Sequence, residues 1–181
     1  HPLQALCDLQ TIQEKLGRLE GVRLVFVGVH NNVTNSLITA GLRTGMHITV
    51  ATPETNDAAM DAQLLDMAQA SNRYLETSDV RAAVEGADVV YTDTWLDMEY
   101  FDDPEYAEEK ARRIRLLAPY QLSRELLSDS EALVMHCLPA HRGYEIEPEM
   151  VNDPRSVVFD QAENRLHSQK ATLLKLAGLL P

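Results

Sequence analysis

The clearest indication of the fold class is the stretch Arg23-Leu-Val-Phe-Val-Gly28, followed by His30-Asn-Asn-Val-Thr-Asn-Ser36. The first segment is a short apolar run that ends in glycine, which is typical of a buried strand. The second is rich in side chains that cap helices, and it predicts a helix that continues to about Thr44. Because a strand without polar alternation is buried on both faces, this unit predicts a parallel sheet covered by helices on each side.

The same alternation of apolar runs and helical patterns extends over the rest of the chain. Further strands are predicted at His47–Ala51, Asp88–Thr92, Ala132–His136 and Ser156–Phe159. Further helices are predicted at Leu3–Leu16, Asp57–Ala70, Asp79–Glu85, Asp102–Arg115, Pro119–Leu127 and from Asp160, as the cap, to Gly178. This order indicates one doubly wound α/β domain over residues 1–181. It has a mostly parallel sheet of about five strands with helices on both faces, as in Rossmann-like folds.

The composition argues against several classes of function. The chain has 28 acidic and 16 basic residues, a net charge of -12, whereas nucleic-acid binding requires basic clusters. No apolar run approaches the ~20 residues of a membrane span. No signal peptide precedes His1, so a cytoplasmic protein is expected. Cys7 and Cys137 lack metal-binding spacing and are expected to be reduced. Gly28 stands outside any GxGxxG fingerprint, which argues against a dinucleotide cofactor.

Three polar clusters follow predicted strands, at the sheet edge where doubly wound proteins bind ligands. They are Gly28–Ser36, Asp93–Glu99 and His136–Gly143. In the first cluster, Asn31 or Asn32 is either simply the N-cap of the following helix or an amide that binds a ligand. The local sequence leaves both interpretations open.

The other two clusters also allow two interpretations each. Asp93 is either a loop acid that faces water or a carboxylate that meets an ammonium group. Cys137 is either a nucleophile, with His136 or His141 as its base, or a strand-end thiol that packs against a ligand. Because neighbours in an extended segment point to opposite faces, His136 and Cys137 do not form a natural catalytic pair.

Two further motifs lie at predicted helix starts. His1-Pro-Leu-Gln4 opens the first helix, with Pro2 at a position where its missing N–H costs little. Glu163-Asn-Arg165 lies in the first turn of the last helix, where Arg165 could reach a phosphate or a carboxylate. Taken singly, each motif favours a purely structural interpretation, with a ligand contact as the alternative.

Taken together, the motifs resemble the ordered signature of the ornithine carbamoyltransferases. The resemblance rests on His1-Pro-Leu-Gln4, Asn31-Asn-Val-Thr-Asn-Ser36, Asp93-Thr-Trp, His136-Cys-Leu-Pro-Ala-His-Arg-Gly143 and Phe159-Asp-Gln-Ala-Glu-Asn-Arg-Leu166. It extends to about Leu174 and matches the second, amino-acid-binding domain of such enzymes. The related aspartate carbamoyltransferases share the fold and the HPxQ element but lack the HCLP cysteine pattern.

The resemblance implies transfer of a carbamoyl group from carbamoyl phosphate to the side-chain amine of L-ornithine, which gives citrulline and phosphate. It places His1 and Gln4 on the carbamoyl group, with His1 polarising the carbonyl oxygen. Arg165 helps to hold carbamoyl phosphate, while the Cys137 thiol and the Leu138 carbonyl line the site near the attacking amine. Because the departing phosphate can accept the proton, no dedicated protein base is required, and neither a metal nor a cofactor is expected.

The same resemblance implies that Asn32 and Asp93 hold the α-amino and α-carboxylate end of ornithine, with Asp97 and Met98 beside them. The family's loop reads Asp-x-Trp-x-Ser-Met-Gly, and here Asp97 and Glu99 replace its Ser and Gly. A carboxylate beside a bound α-carboxylate is repulsive by on the order of a kcal/mol. The altered loop therefore either holds ornithine through backbone groups only or favours a more cationic amine such as putrescine.

The family's other domain, with its Ser-x-Arg-Thr loop for carbamoyl phosphate, is missing from these 181 residues. The resemblance therefore implies that this chain alone is inactive and that the full-length protein is a homotrimer or a larger assembly. A rival hypothesis is a non-catalytic relative that binds a metabolite or a partner without transferring a group. The joint presence of His1, Gln4, Cys137 and Arg165 opposes it.

Overall fold

A computed structural model describes residues 1–96 and 101–180. Its strands are β1 (Arg23–Val27), β2 (His47–Ala51), β3 (Tyr74–Thr77), β4 (Val89–Thr92) and β5 (Leu133–His136). Its α-helices are α1 (Pro2–Leu16), α2 (Asn32–Arg43), α3 (Ala62–Ala70), α4 (Val80–Val84), α5 (Ala107–Leu117) and α6 (Val158–Leu176). Short 3₁₀ turns lie at Asp57–Ala59, Pro104–Tyr106, Ala118–Tyr120 and Met150–Asn152. Within the described residues, no helix combines the length and apolar character needed to cross a bilayer.

The strands form one sheet in the order β3-β2-β1-β4-β5, and every neighbouring pair is parallel. The chain builds outward from β1 to β2 and β3, and then returns to the other side of β1 for β4 and β5. The doubly wound α/β prediction is therefore confirmed. The change of direction falls between β1 and β4, which is the position where such sheets open a crevice for ligands.

The position of strand β1 explains why the sequence Leu24-Val-Phe-Val27 lacks polar alternation. Leu24 and Phe26 pack in a core that also contains residues of α1, α2 and α3. Val25 and Val27 point to the opposite face and join a second core with residues of α4 and α5. Each of the four is at most 2% exposed. Burial of one such side chain contributes roughly 1.5–3 kcal/mol, so both faces of the strand require apolar residues.

The strand predicted at Ser156–Phe159 is wrong. Ser156 forms only an isolated bridge with Val134, and Val158 already begins α6. The fifth strand is β3, at the opposite edge of the sheet. Its Tyr-Leu-Glu-Thr sequence is largely exposed, so it lacks the apolar run that marks a central strand.

The helix predicted over Pro119–Leu127 is wrong beyond its first residues. A 3₁₀ turn ends at Tyr120, and the backbone groups of Leu122 then pair with Glu145 and Glu147. This pairing removes the N–H and the carbonyl that a continued helix would use.

The start of the last helix also differs from the prediction. Helix α6 begins at Val158 with Val157 as its N-cap, so Asp160 is not the cap. Asp160 instead pairs with Lys15 of α1 at 3.0 Å. Arg165 is consequently the eighth residue of α6 and does not lie in its first turn.

Candidate active site

The carboxyl ends of β1, β4 and β5 lie side by side at one edge of the sheet. Residues that follow these strands, together with the start of α1 and a residue of α6, line a cavity of about 370 Å³. Seven residues singled out in the sequence line this cavity: His1, Gln4, Asn32, Asp93, Cys137, Leu138 and Arg165. The two remaining ones, Asp97 and Met98, lie outside the described residues.

Asn31 joins the first strand end to the second. Its Oδ1 accepts hydrogen bonds from the backbone N–H groups of Val33 and Thr34, at 2.9 and 3.2 Å, and so caps α2. Its Nδ2 donates to Asp93 Oδ2 at 2.8 Å. The cap is therefore Asn31, whereas Asn32 is exposed and its side chain has no hydrogen-bond partner among the described residues. The structure thus assigns the capping role to Asn31, and a ligand role for Asn32 stays a prediction.

Asp93 is held in place by three donors. Besides Asn31, the backbone N–H of Thr94 donates to Oδ1 at 2.8 Å, and the Cys137 thiol donates to the same oxygen at 3.0 Å. No lysine or arginine of the described residues pairs with this carboxylate. Asp93 is therefore a fixed carboxylate without a lysine or arginine partner in the part of the chain that the structure describes, which is a different environment from that of a loop acid facing water.

Cys137 is arranged as a hydrogen-bond donor, not as a nucleophile. Burial, together with the nearby Asp93 carboxylate, raises the pKa of the thiol well above its ordinary 9.0. Neither proposed base contacts it, because His136 pairs with Glu145 at 3.1 Å and Nδ1 of His141 pairs with Thr94 at 3.0 Å. Since the thiolate is the reactive form, this arrangement opposes the covalent interpretation.

Leu138 has an unusual backbone conformation at the cavity wall. Its φ is +52°, a left-handed value that non-glycine residues rarely adopt, and the peptide bond to Pro139 is cis. Its N–H donates to His136 Nδ1 at 2.9 Å. Its carbonyl oxygen accepts no hydrogen bond from the described residues. A left-handed φ at a non-glycine residue costs about 1–3 kcal/mol and is common at binding sites.

The cavity border carries groups without protein partners. His1 is the N-cap of α1 but makes no side-chain cap bond. Arg165 is exposed, and its guanidinium forms no hydrogen bond or ion pair with any residue in the described part of the chain. Gln4, by contrast, is only 5% exposed and donates through Nε2 to Asp8 at 2.8 Å.

Thr94 is a site residue that the sequence analysis did not single out, and Asn31 was named there only together with Asn32, as an N-cap or a ligand-binding amide. Thr94 lines the cavity, and its hydroxyl contacts both the Leu96 carbonyl at 2.7 Å and His141 Nδ1 at 3.0 Å. Burial lowers the pKa of His141, which keeps the ring neutral near pH 7. The sequence offered one signal for them, namely that Thr94 directly follows the predicted site residue Asp93 and Asn31 directly precedes Asn32.

One group of potential metal ligands occurs among residues 1–96 and 101–180. Ligand atoms of Asp93, His136 and Cys137 lie within 4.8 Å of one another. However, both ring nitrogens of His136 are engaged, with the Leu138 N–H and with Glu145. The raised pKa of Cys137 keeps its proton on the sulfur. The cluster is therefore arranged for hydrogen bonding, and a metal would have to break two of these contacts.

Comparisons with known proteins match this chain to one family. The family described as "Aspartate/ornithine carbamoyltransferase, Asp/Orn binding domain" matches residues 20–176. The ornithine carbamoyltransferase of Synechocystis sp. is 43% identical over 184 residues, and that of Archaeoglobus fulgidus is 46% identical over 181 residues. These alignments cover 99% and 98% of this chain, but 58% and 56% of the two relatives.

Solved structures give the same result. Ornithine carbamoyltransferase from Pyrococcus furiosus has a TM-score of 0.83 and 40% identity, over 96% of this chain and 55% of that chain. The enzyme from Thermus thermophilus has a TM-score of 0.81 and 42% identity, over 97% of this chain and 55% of that one. The chain thus spans a little over half the length of these relatives, and it belongs to the aspartate/ornithine carbamoyltransferase family through that family's Asp/Orn-binding domain.

Proposed function

We propose that this chain is the amine-binding part of an enzyme that transfers the carbamoyl group of carbamoyl phosphate to the side-chain amine of L-ornithine. The products are citrulline and phosphate. The observation that carries the proposal is a complementary set of unpaired groups around one cavity. Among residues 1–96 and 101–180, the fixed Asp93 carboxylate has no lysine or arginine partner, and the Arg165 guanidinium at the border has no acidic partner.

An amino-acid zwitterion supplies the partners that the strand-end groups lack. Its α-ammonium group can donate to Asp93, whose position is fixed by Asn31 and Cys137. Its α-carboxylate can accept from the side-chain amide of Asn32, which has no other partner among the described residues. The pairing of a charged donor with a pre-positioned carboxylate is among the stronger hydrogen bonds in proteins.

The opposite side of the cavity suits carbamoyl phosphate. Arg165 can pair with phosphate oxygens, and His1 can donate to the carbonyl oxygen on which negative charge develops. Gln4 and the free carbonyl of Leu138 supply acceptors for the N–H groups of the carbamoyl moiety. These groups act by orienting the reactants and by stabilising charge in the transition state.

In this scheme the neutral side-chain amine attacks the carbamoyl carbon and forms the new C–N bond. The C–O bond to phosphate breaks, and phosphate leaves with the electron pair and takes up the proton lost by the amine. No covalent bond to the protein forms. The protonated Cys137 thiol then acts as a positioning group, because its hydrogen bond holds Asp93 in place.

The remainder of the longer protein is proposed to complete the carbamoyl-phosphate site. One side of α6 carries large apolar residues that are 57–80% exposed, namely Phe159, Leu166, Leu173 and Leu176. An exposed apolar stripe of this kind is typical of a contact surface. Since the chain spans only 55–58% of the length of these relatives, we propose that the remaining part of the longer protein covers this apolar surface of α6.

We therefore expect residues 1–181 alone to be inactive, and the full-length protein to be a cytoplasmic homotrimer or larger assembly.

Putrescine is the second candidate for the amine substrate. Asp97 and Glu99 favour it because they add negative charge to the substrate loop. Putrescine has no carboxylate, however, and would leave Asn32 without a ligand contact. This difference argues for ornithine, because its α-carboxylate can form a hydrogen bond with Asn32 that putrescine cannot form.

The test is a steady-state carbamoylation assay of the full-length protein with ornithine and with putrescine, repeated on residues 1–181 alone. We expect a higher kcat/KM for ornithine and no turnover by the shorter chain. Asp93→Asn should raise the KM for ornithine about tenfold or more and change the KM for carbamoyl phosphate less. Asp129→Asn, at an exposed acid away from the cavity, is the matched control.

Each part of the proposal can fail separately. Preference for putrescine would overturn the choice of amine but keep the reaction type. Absence of any carbamoylated product from the full-length protein would support the non-catalytic relative instead. Turnover by residues 1–181 alone would show that the absent portion is not needed.

A further inference from the structure

A buried carboxylate lies directly behind the cavity wall. Asp8 of α1 is fully buried. Its Oδ1 accepts hydrogen bonds from Gln4 Nε2 at 2.8 Å and from Gln161 Nε2 at 2.7 Å. Its Oδ2 accepts from the hydroxyl of Tyr91 at 3.1 Å. Asp8 itself does not line the cavity, so it can affect a ligand only through these neighbours.

The contact with Asp8 decides which end of the Gln4 amide faces the cavity. An ionised carboxylate can only accept hydrogen bonds, so it attracts the NH₂ end of an amide and repels the carbonyl end. Gln4 therefore turns its Nε2 towards Asp8 and leaves its Oε1 as the free end. Because Gln4 lines the cavity, the atom available to a ligand is an acceptor.

Gln161 also has its amide orientation fixed by the Asp8 carboxylate. With its Nε2 on Asp8, its Oε1 accepts the backbone N–H of His136 at 3.0 Å. His136 directly precedes Cys137, the strand-end residue of the cavity. Asp8 therefore fixes a wall residue on α1 and the end of β5 through two amides of defined orientation.

We propose that Asp8 is a positioning residue of the carbamoyl-phosphate side, which acts by holding Gln4 with its carbonyl oxygen towards the substrate. This inference rests on the proposed function, because the NH₂ group of a carbamoyl moiety is the donor that such an acceptor recognises. A flipped Gln4 would present its own NH₂ group to the NH₂ of the substrate. That contact loses a hydrogen bond and leaves a donor without a partner.

The buried position of Asp8 disfavours an ionised carboxyl group. Desolvation by burial raises the pKa of Asp8 to about 7, although Gln4, Gln161, Tyr91 and the charge of Arg165 all favour the ionised form. An apolar residue at this position of α1 would join the surrounding core, which includes Ala5, Leu9 and Ile12. A strictly structural role would therefore be filled at lower cost by a leucine.

The test compares three variants of the full-length enzyme in steady-state assays. Asp8→Leu removes the acceptor and should lower kcat/KM for carbamoyl phosphate about tenfold or more, with little change in KM for ornithine. Asp8→Asn keeps an acceptor oxygen for both glutamines and should stay within about threefold of wild type. Thr11→Val is the control, because it removes a buried hydrogen bond between α1 and Asn164 that does not reach the cavity.

A double-mutant cycle with Gln4→Ala separates positioning from general destabilisation. If Asp8 acts through Gln4, Asp8→Leu should cause less than about threefold further loss in the Gln4→Ala background. An equal loss in both backgrounds would overturn the proposal. The proposal would also be overturned if Asp8→Asn lost as much activity as Asp8→Leu. Where the leucine variant does not fold, Asp8→Ala enters the same cycle with the same expectation.

The outcome also distinguishes this inference from the proposed function. If wild-type protein forms no carbamoylated product, the proposed function fails and the role of Asp8 falls with it. If wild-type protein is active but the losses from Asp8→Leu and Gln4→Ala are additive, only the positioning role is wrong.

Discussion

The polar groups of the cavity form two sets that differ in what they contact. The inner set consists of Gln4, Asn31, Asp93, Thr94 and Cys137, each hydrogen-bonded to another polar side chain of the protein. The outer set consists of His1, Asn32 and Arg165, whose side chains have no hydrogen-bond partner in the described part of the chain. The inner groups are oriented before any ligand arrives. The outer groups are exposed to water and remain available to a ligand or to another part of the protein.

This difference predicts opposite effects of mutation. Substitutions in the outer set should remove activity without affecting the stability of the fold, because no internal contact is lost. Substitutions in the inner set should alter stability and activity together. Each prediction below tests one side of this comparison.

The largest effect is expected for Arg165→Ala in the outer set. Loss of a charged contact with phosphate should lower kcat/KM for carbamoyl phosphate on the order of a hundredfold or more. The midpoint of thermal unfolding should stay unchanged, because the guanidinium has no partner among the described residues. Arg81→Ala is the control, since it breaks an exposed pair with Glu125 that is worth at most about 1 kcal/mol. A destabilised but active Arg165 variant would contradict the comparison.

The next effect concerns the stability of the fold and comes from Asp8, the buried carboxyl group that contacts Gln4 of the inner set. Burial raises the pKa of Asp8 from 3.8 to about 7. An acid with a higher pKa in the folded state destabilises the fold as pH rises between the two values. The ionised wild-type carboxyl thus costs at most about 4 kcal/mol above pH 7 and little below pH 4.

Asp8→Asn removes this ionisation. We therefore compare the free energy of unfolding of the variant with that of wild type at pH 4.5 and at pH 8. The difference should shift in favour of the variant by about 2–3 kcal/mol as the pH rises from 4.5 to 8. Urea denaturation at the two pH values measures the difference. Thr11→Val, which leaves the carboxyl in place, should show a pH-independent loss. A constant difference for Asp8→Asn would mean that Asp8 ionises normally in the folded protein.

The central strands could be predicted from the sequence, whereas the edge strand β3 and the start of α6 could not. Strands β1, β4 and β5 are buried on both faces, so their sequences have an unmistakable pattern. Strand β3 lies at an edge, and its exposed Leu75 and Glu76 give no such signal. The run at Ser156–Phe159 was apolar because it enters α6 beside β5, which periodicity over four residues cannot distinguish from a strand.

The site was predictable in location and only partly in its contacts. Asp93 and Cys137 could be placed at one sheet edge, because both directly follow predicted strands. Their hydrogen bond spans 44 residues and requires β4 and β5 to be neighbours, which the sequence does not state. Asp8 was missed, although its spacing of four residues from Gln4 interrupts the apolar side of α1 with a polar pair.

The smallest effect is expected for Cys137→Ser, which tests whether the inner set contains a nucleophile. A serine hydroxyl can still donate to Asp93, so the carboxylate keeps its position and only the size and polarity of the donor change. We expect kcat to fall about tenfold or less in the full-length enzyme, with KM for ornithine changed more than KM for carbamoyl phosphate.

Covalent catalysis by the thiol predicts a different result. A serine with no base in contact would be a far weaker nucleophile, and the loss in kcat would approach the roughly 10⁴-fold or greater losses seen when catalytic nucleophiles are removed. Alkylation provides an independent check. Because the pKa of Cys137 is raised well above 9.0, iodoacetamide at pH 8 should modify it more slowly than free cysteine. Asp93→Asn should accelerate the modification, because removal of the neighbouring negative charge makes the thiolate easier to form.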